Sequence, residues 1–239
     1  MKKERGAEGE HRTSGAVGSY LLVRSQRRTV ALEVRPDATL VVRVPNRTPL
    51  WYVDRTLEQK ASWVEEKLAE ARDRLPLLPR HDFLTGERFP YLGRDWPFTV
   101  TAFQATPLTF DEAAGFSLLA SAFDRSEALF ESWYRARARA VITGRVARYA
   151  AVMGVHPARI RITGAEHRWG SCSVSGTVSF AWRLVMAPTD IIDYVVVHEL
   201  AHLREMNHSA RFWAVVAAAI PDYQERRRWL RDNGGSLSM

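Results

Sequence analysis

The segment 191–203 constrains the fold more than any other part of the chain. Its apolar residues cover nearly every face of a helix, and a helix that is apolar all round is a buried one. The three valines at 195–197 favour a strand on propensity alone, because β-branched side chains are stiff in helices. However, Asp190 and Asp193 suit a first helical turn. We therefore predict a central helix over residues 189–205, in which burial overrides propensity.

This helix carries the sequence H-E-L-A-H at 198–202, which fits an H-E-x-x-H motif. Residues four apart lie about 40° from each other around a helix axis, so His198 and His202 project from one face and can bind a single metal ion. Glu199 lies about 100° from His198, outside the row of ligands but within reach of a metal-bound water. We predict a hydrolytic zinc site here, with another divalent metal as the alternative ion.

The third ligand must come from elsewhere, because a hydrolytic zinc site takes three protein ligands and one water. Glu205 faces the His198 side but lies about 10 Å further along the helix, too far to share the ion. His208 can share it if the chain turns back. The spacing of 198, 202 and 208 equals that of the metzincin motif, although Glu205 occupies that motif's glycine position. Glu225 is the competing ligand, and we favour His208 because one helix must end and another begin there.

A second cluster is the sequence RWGSCS at 168–173, just before a predicted strand. Its small residues at 170 and 171 permit close approach of the backbone, and Arg168 is able to neutralise an anionic group. The alternative interpretation is structural: the segment is the end of a strand with a buried tryptophan. Residue spacing alone favours this structural interpretation over a substrate-binding one. Cys172 is the one cysteine of the chain, and we expect it to be a packed, unreactive thiol.

The pattern of apolar residues in the rest of the sequence predicts a domain boundary near residue 122. We expect residues 1–16 to be a disordered tail and residues 17–122 to be a β-rich N-terminal region with one helix, whose apolar stripe covers 53–75. Short β-branched or aromatic runs predict its strands: 20–23, 29–34, 40–44, 89–92, 98–103 and 108–110.

Residues 123–239 are predicted to form an α+β domain. A long helix begins at Asp124, has Glu127 as its capping-box partner and ends at Gly154. The other predicted elements are strands at 159–163 and 177–182 and, after the central helix, helices at 209–219 and 221–233. Ser209 suits the N-cap of the first of these two helices, and the aromatic pair at 212–213 is expected to be core.

Composition limits the class of protein. A 46% hydrophobic content supports a core, and a 26% charged fraction excludes a chain that is disordered throughout. All but four of the 34 basic residues are arginine and the net charge is +7, which favours anionic partners unless it reflects a GC-rich genome. The N-terminus lacks the apolar core of a secretory signal, and the apolar run 214–220 is too short to cross a bilayer. We expect a cytoplasmic protein without a membrane partner.

These segments together resemble the YgjP-like metallopeptidase family, which is related to the SprT-like zincins. The matching stretches are HRWGSCS at 167–173, WRLVMAP at 182–188, DYVVVHELAHLREMNHSARFW at 193–213 and PDYQERRRWL at 221–230, with fainter matches around RSQRRTVALEV and at 89–98. The resemblance implies a zincin-like C-terminal domain. It also implies His208 as the third ligand, since His208 is the histidine of the family's N-H-S-x-x-F-W segment. Ala181 departs from the family, which often has asparagine there.

The leading hypothesis is a zinc-dependent hydrolase of the metallopeptidase type. Metal-activated water would attack a peptide bond, with Glu199 as general base. Arg168, Arg183 or Tyr194 would contact the substrate or stabilise the oxyanion, and the sequence does not choose among them.

Two alternatives stay open. The same site could hydrolyse a nucleoside triphosphate, since one relative is associated with pyrophosphatase activity on UTP and arginines at 168 and 183 could bind phosphate. Alternatively, the chain could be a nucleic-acid-associated protein with a structural zinc, because the long helix has an arginine-rich face. We do not favour the second alternative, since structural zinc sites normally have four protein ligands.

Overall fold

The computed structural model describes residues 9–35, 37–74, 81–166 and 168–239. These residues form a mixed α+β structure with three sheets and six α-helices, in agreement with the predicted fold class. The chain divides into two compact units, residues 1–78 and 79–239, which are described separately below. No helix in the described ranges combines the length and the hydrophobicity that a bilayer crossing needs.

The first unit is a four-stranded sheet with two helices. Its strands are β1 (Glu10–Ser14), β2 (Gly18–Ser25), β3 (Ala31–Val34) and β4 (Leu40–Pro45), in the order β1-β2-β4-β3, with β2 and β4 parallel. Its helices are α1 (Leu50–Gln59) and α2 (Ala61–Arg74). Their apolar stripes meet the sheet in one core that includes Leu22, Val42, Val53, Leu57 and Val64.

Two predictions for this unit need correction. Residues 10–14 of the expected disordered tail form β1, because antiparallel pairing with β2 satisfies their backbone groups; residues 1–8 lie outside the described residues. The single helix predicted over 53–75 is two helices, because the backbone of Lys60 leaves helical geometry with φ −112° and ψ 10°. The predicted end of that helix, at 75, also lies outside the described residues.

The second unit begins with a sheet that packs on the long helix. Its strands are β5 (Arg88–Tyr91), β6 (Arg94–Thr101), β7 (Leu108–Asp111) and β8 (Gly115–Leu119), in the order β5-β6-β8-β7, and helix α3 (Ser126–Met153) follows. The Phe130 ring of α3 lies 4.2 Å from Phe89 and 5.1 Å from Phe116. The division between the units therefore falls near residue 78 and not near 122, because this β-rich segment shares its core with α3.

Helix α3 also begins later than predicted. Asp124 lies in a 3-10 turn (Ala120–Arg125), the N-cap of α3 is Arg125, and no side chain caps the helix, so the predicted capping box is wrong. The predicted end is correct: Gly154 adopts φ 60°, the left-handed conformation that favours glycine at a helix C-terminus.

The metal-site region is built on a second sheet and three helices. The strands are β9 (Arg159–Thr163), β10 (Gly170–Cys172) and β11 (Thr177–Ala181), in the order β10-β11-β9, and the helices are α4 (Thr189–Ala201), α5 (Ala210–Ala219) and α6 (Tyr223–Asn233). Helix α4 is buried on nearly every face, as its sequence predicts, and ends at Ala201 instead of Glu205.

A buried ion pair fixes α4 against α3. Asp193 of α4 is buried, and its Oδ1 lies 2.6 Å from Nε of Arg145, while the Tyr149 hydroxyl donates to its Oδ2 at 3.0 Å. A buried carboxylate is tolerated only when it is paired in this way. The pair therefore anchors the helix that carries the H-E-x-x-H motif.

Candidate metal centre

The three predicted histidines lie together. His198 and His202 come from the last turn and C-cap of α4, and His208 comes from the turn before α5. One ring nitrogen from each lies within 4.8 Å of the others, and Nε2 of His198 is 3.0 Å from Nε2 of His208. Two nitrogen ligands of a tetrahedral zinc ion are separated by roughly 3.3 Å, so the His198–His208 pair has close to this spacing, and three imidazole nitrogens are a donor set that zinc binds. Glu205 and Glu225 do not belong to this group of atoms.

The chain turns back after α4 because each helix end is satisfied locally. The Arg204 and Glu205 amides donate to the carbonyl oxygen of Ala201 at 3.0 Å. Ser209 then caps α5 by accepting a hydrogen bond from the Phe212 amide at 3.3 Å, which confirms the predicted N-cap. His208 precedes this cap directly and is thereby returned to the face of α4 that carries the other two histidines.

A backbone carbonyl orients His202. Nδ1 of His202 lies 3.1 Å from the carbonyl oxygen of Glu205. A carbonyl oxygen only accepts, so Nδ1 carries the proton and the lone pair of Nε2 is left for a ligand. Metal-binding histidines commonly donate their second N–H to a carbonyl in this way.

A fully buried phenylalanine lies against all three rings. The Phe212 ring of α5 is 4.9 Å from His198, 4.5 Å from His202 and 4.7 Å from His208, measured between centroids. It thus holds the three imidazoles in place by packing. The sequence pattern predicts Phe212 as a core residue but does not predict this contact, for which its position four residues after His208 was the available signal.

Glu199 is buried beside strand β10. Only 5% of the residue is exposed, and this burial raises the pKa of its carboxyl group to about 8, with the positive charge of Arg168 acting in the opposite direction. A Cβ atom added at Gly170 would lie 2.5 Å from Oε1 of Glu199. The close backbone approach predicted for residues 170 and 171 is therefore found at Gly170, where no side chain fits.

The same burial keeps the imidazoles of His198 and His202 neutral. Burial is the main cause that lowers the pKa of His198 to about 3, and the neighbouring His202, His208 and Arg227 act in the same direction. Burial also lowers the pKa of His202. The neutral imidazole is the form that binds a metal ion.

The three predicted substrate contacts differ in position. Arg168 is exposed and lies near enough to Glu199 to lower the pKa of its carboxyl group. The Tyr194 ring lies 6.0 Å from His198, and its residue is buried. The Arg183 guanidinium lies 4.6 Å from the ring centre of Trp182, and no contact between described residues joins it to the histidines.

A further charged residue near the histidines, Arg227, was not predicted from the sequence. The Arg227 guanidinium of α6 lies 5.0 Å from the ring centre of Trp213, whose ring is in turn 5.7 Å from His208 and 5.8 Å from His198. Sequence spacing carried no signal for this placement, because it depends on how α6 packs against α4 and α5.

Comparison with models of known protein families identifies the family of this chain. A family model described as YgjP-like, metallopeptidase domain, matches residues 28–233. The chain belongs to this family. The YgjP-like membership confirms the resemblance seen in the motifs and supports a hydrolase of the metallopeptidase type.

Two further comparisons are less informative. Among solved structures, the YgjP-like chain is similar to the metallopeptidase zymogen of Pyrococcus abyssi abylysin, with 20% identity and a TM-score of 0.36, over 41% of this chain and 99% of that one. No curated protein matches the chain.

Proposed function

We propose that this YgjP-like chain is a zinc-dependent peptide hydrolase, in which His198, His202 and His208 hold the ion and Glu199 is the general base. The observation that carries the proposal is the group of three imidazole nitrogens within 4.8 Å of one another, next to a buried carboxylate. Three imidazole nitrogens without a fourth ligand among the described residues are typical of catalytic zinc sites, whereas structural sites are closed by four protein ligands.

The site residues divide the chemistry between them. Bound Zn²⁺ would supply a Lewis acid that lowers the pKa of water and polarises the scissile carbonyl. Glu199 takes the proton from the attacking water and delivers it to the leaving amine. Burial raises the pKa of its carboxyl group to about 8, with Arg168 acting in the opposite direction, and a group that titrates near neutral pH is suited both to accept and to donate a proton.

We propose Arg168 and Tyr194 as the residues that face the substrate. The charge of Arg168 acts on the carboxyl group of Glu199. Tyr194 lies one helical turn before His198, and its ring is 6.0 Å from the His198 ring. Either group can donate a hydrogen bond to a developing oxyanion. Arg183 is not included, because its described contacts are with Trp182.

We also propose a fold type for the second unit and a cellular location for the protein. Helix α3, the β9–β11 sheet and helices α4 to α6 would form the zincin-like arrangement, and the protein would act in the cytoplasm. Neither the family nor the site geometry supports the nucleotide and nucleic-acid alternatives, so UTP enters the experiment below only as a competing substrate.

The test compares the parent protein with Glu199→Gln. Both are loaded with zinc, their metal content is measured, and both are incubated with a peptide library and with UTP. We expect about one zinc per chain in both proteins and a loss of peptide hydrolysis of about 100-fold or more in the variant, since a positioned acid–base group contributes that much. Equal peptide hydrolysis by the two proteins would contradict the mechanism, and hydrolysis of UTP alone would contradict the substrate.

A further inference from the structure

Arg227 has no part in the chemistry described so far, although it lies beside the histidine cluster. Its guanidinium is exposed and lies 5.0 Å from the ring centre of Trp213. That ring is tilted by only 25° from the His208 ring, at 5.7 Å. One aromatic ring therefore separates the guanidinium from a proposed metal ligand.

The position of Arg227 is fixed by its surroundings. Tyr223, one turn earlier on α6, stacks on Trp213 at 5.2 Å with an interplanar angle of 15°. Arg226 anchors α6 itself, because it pairs with Asp222 at 2.9 Å and donates to the carbonyl oxygen of Asp190 at 3.0 Å. A guanidinium held over a tryptophan face is further stabilised by a cation–π interaction.

No described residue compensates the charge of Arg227. Within the described ranges no carboxylate lies within ion-pair distance of it, whereas Arg226 pairs with Asp222 and Arg231 pairs with Asp232.

An unpaired guanidinium next to a proposed dication is unfavourable for the protein alone, because the two positive charges repel each other. An anionic ligand would reverse this cost. The planar fork of arginine donors matches a carboxylate in particular.

We propose that Arg227, positioned by Trp213 and Tyr223, binds a carboxylate of the peptide substrate and so makes peptides that present a carboxylate at this position the preferred substrate class. This inference rests on the proposed peptide hydrolase function. The carboxylate is either an aspartate or glutamate side chain or the C-terminal carboxylate of the peptide, and both would make the same contact.

The experiment measures binding without turnover. Zinc-loaded Glu199→Gln protein is titrated by calorimetry with three sets of N-acetylated nonapeptides. The first set has one Asp at each position in turn and an amidated C-terminus, the second has Asn in place of Asp, and the third is the Asn set with a free C-terminal carboxylate. The two carboxylate-bearing sets distinguish the side-chain source from the C-terminal source.

We expect one carboxylate-bearing set to bind about 10- to 100-fold more tightly than the amidated Asn set, because a hydrogen bond to a charged group contributes that much. Adding Arg227→Ala should abolish the difference, and Arg227→Lys should retain part of it. Arg228→Ala, which removes the same charge from an exposed neighbouring position, should leave it unchanged.

The inference is wrong if all sets bind equally, if none binds, or if the preference survives Arg227→Ala. Hydrolysis of the same peptides by the parent protein tests the proposed function separately. Hydrolysis without a carboxylate preference would overturn only the role of Arg227, whereas a preference in binding without hydrolysis would overturn only the catalytic proposal.

Discussion

The two sides of the histidine cluster are held by different means. On the buried side, Glu199 lies against β10, the Phe212 ring of α5 packs on the three histidines, and Asp193 pairs with Arg145 of α3. On the exposed side, Arg168 and Arg227 have no ion-pair partner among the described residues. Arg168 acts on Glu199 through its charge, and Arg227 is separated from the histidines by the ring of Trp213. The comparison shows that packing holds the residues of the buried side, and the proposed function assigns substrate recognition to the exposed side.

Removing the packing under the histidines should produce the largest effect. Phe212→Ala is expected to lower the free energy of unfolding by about 3–5 kcal/mol in urea denaturation, because it leaves a cavity in place of a buried ring. Zinc affinity, measured by competition with a chelator, should fall by about tenfold or more, since groups that orient metal ligands contribute that much.

Phe130→Ala is the matched control for this variant. Phe130 is equally buried, but its ring contacts lie with Phe89, Phe98 and Phe116 in the aromatic core of the other sheet. It should cost similar stability and leave the zinc affinity of the folded protein unchanged. An equal loss of zinc affinity in both variants would contradict a specific role of Phe212.

A smaller effect is expected from closing the space beside the general base. Gly170→Ala should lower stability by about 1–3 kcal/mol, because the added methyl group overlaps Glu199. The rate of peptide hydrolysis by the folded variant should also fall, by more than the loss of stability accounts for, because the displaced atom is the proposed proton acceptor. Gly144→Ala in α3 is the control, since nothing lies within 4 Å of its Cβ position. Full activity of Gly170→Ala would show that the carboxylate tolerates displacement.

The smallest effect should follow from weakening the turn that presents His208. Ser209→Ala removes the N-cap of α5 and should cost about 1 kcal/mol of stability. Zinc affinity should fall modestly because His208 precedes the cap. Ser209→Asp should restore both quantities, since aspartate also caps helices well. If Ser209→Asp does not restore zinc affinity, the helix cap does not determine the position of His208.

Local signals predicted the buried side of the site well. The 3.6-residue period places His198 and His202 on one face, and the apolar pattern predicted a buried α4 in spite of its valines. Glycine at 154 and serine at 209 predicted a helix end and a helix start, because each residue acts through its own backbone or a near neighbour.

Predictions that depend on distant packing were less successful. Asp124 has the chemistry of a cap, but the chain enters a 3-10 turn there and α3 begins at Ser126. The division near 122 overlooked that Phe89 and Phe116 pack on Phe130, which joins that sheet to α3. Likewise, the place of Arg227 depends on how α6 packs, and no local pattern encodes that packing.

The most direct test of the central claim is a crystal structure of the zinc-loaded protein with anomalous diffraction measured on both sides of the zinc absorption edge. The account predicts one anomalous peak, bonded to a ring nitrogen of each of His198, His202 and His208, with Glu199 close by but not coordinated. A peak elsewhere, a fourth protein ligand that closes the site, or the absence of any peak between these rings would contradict it.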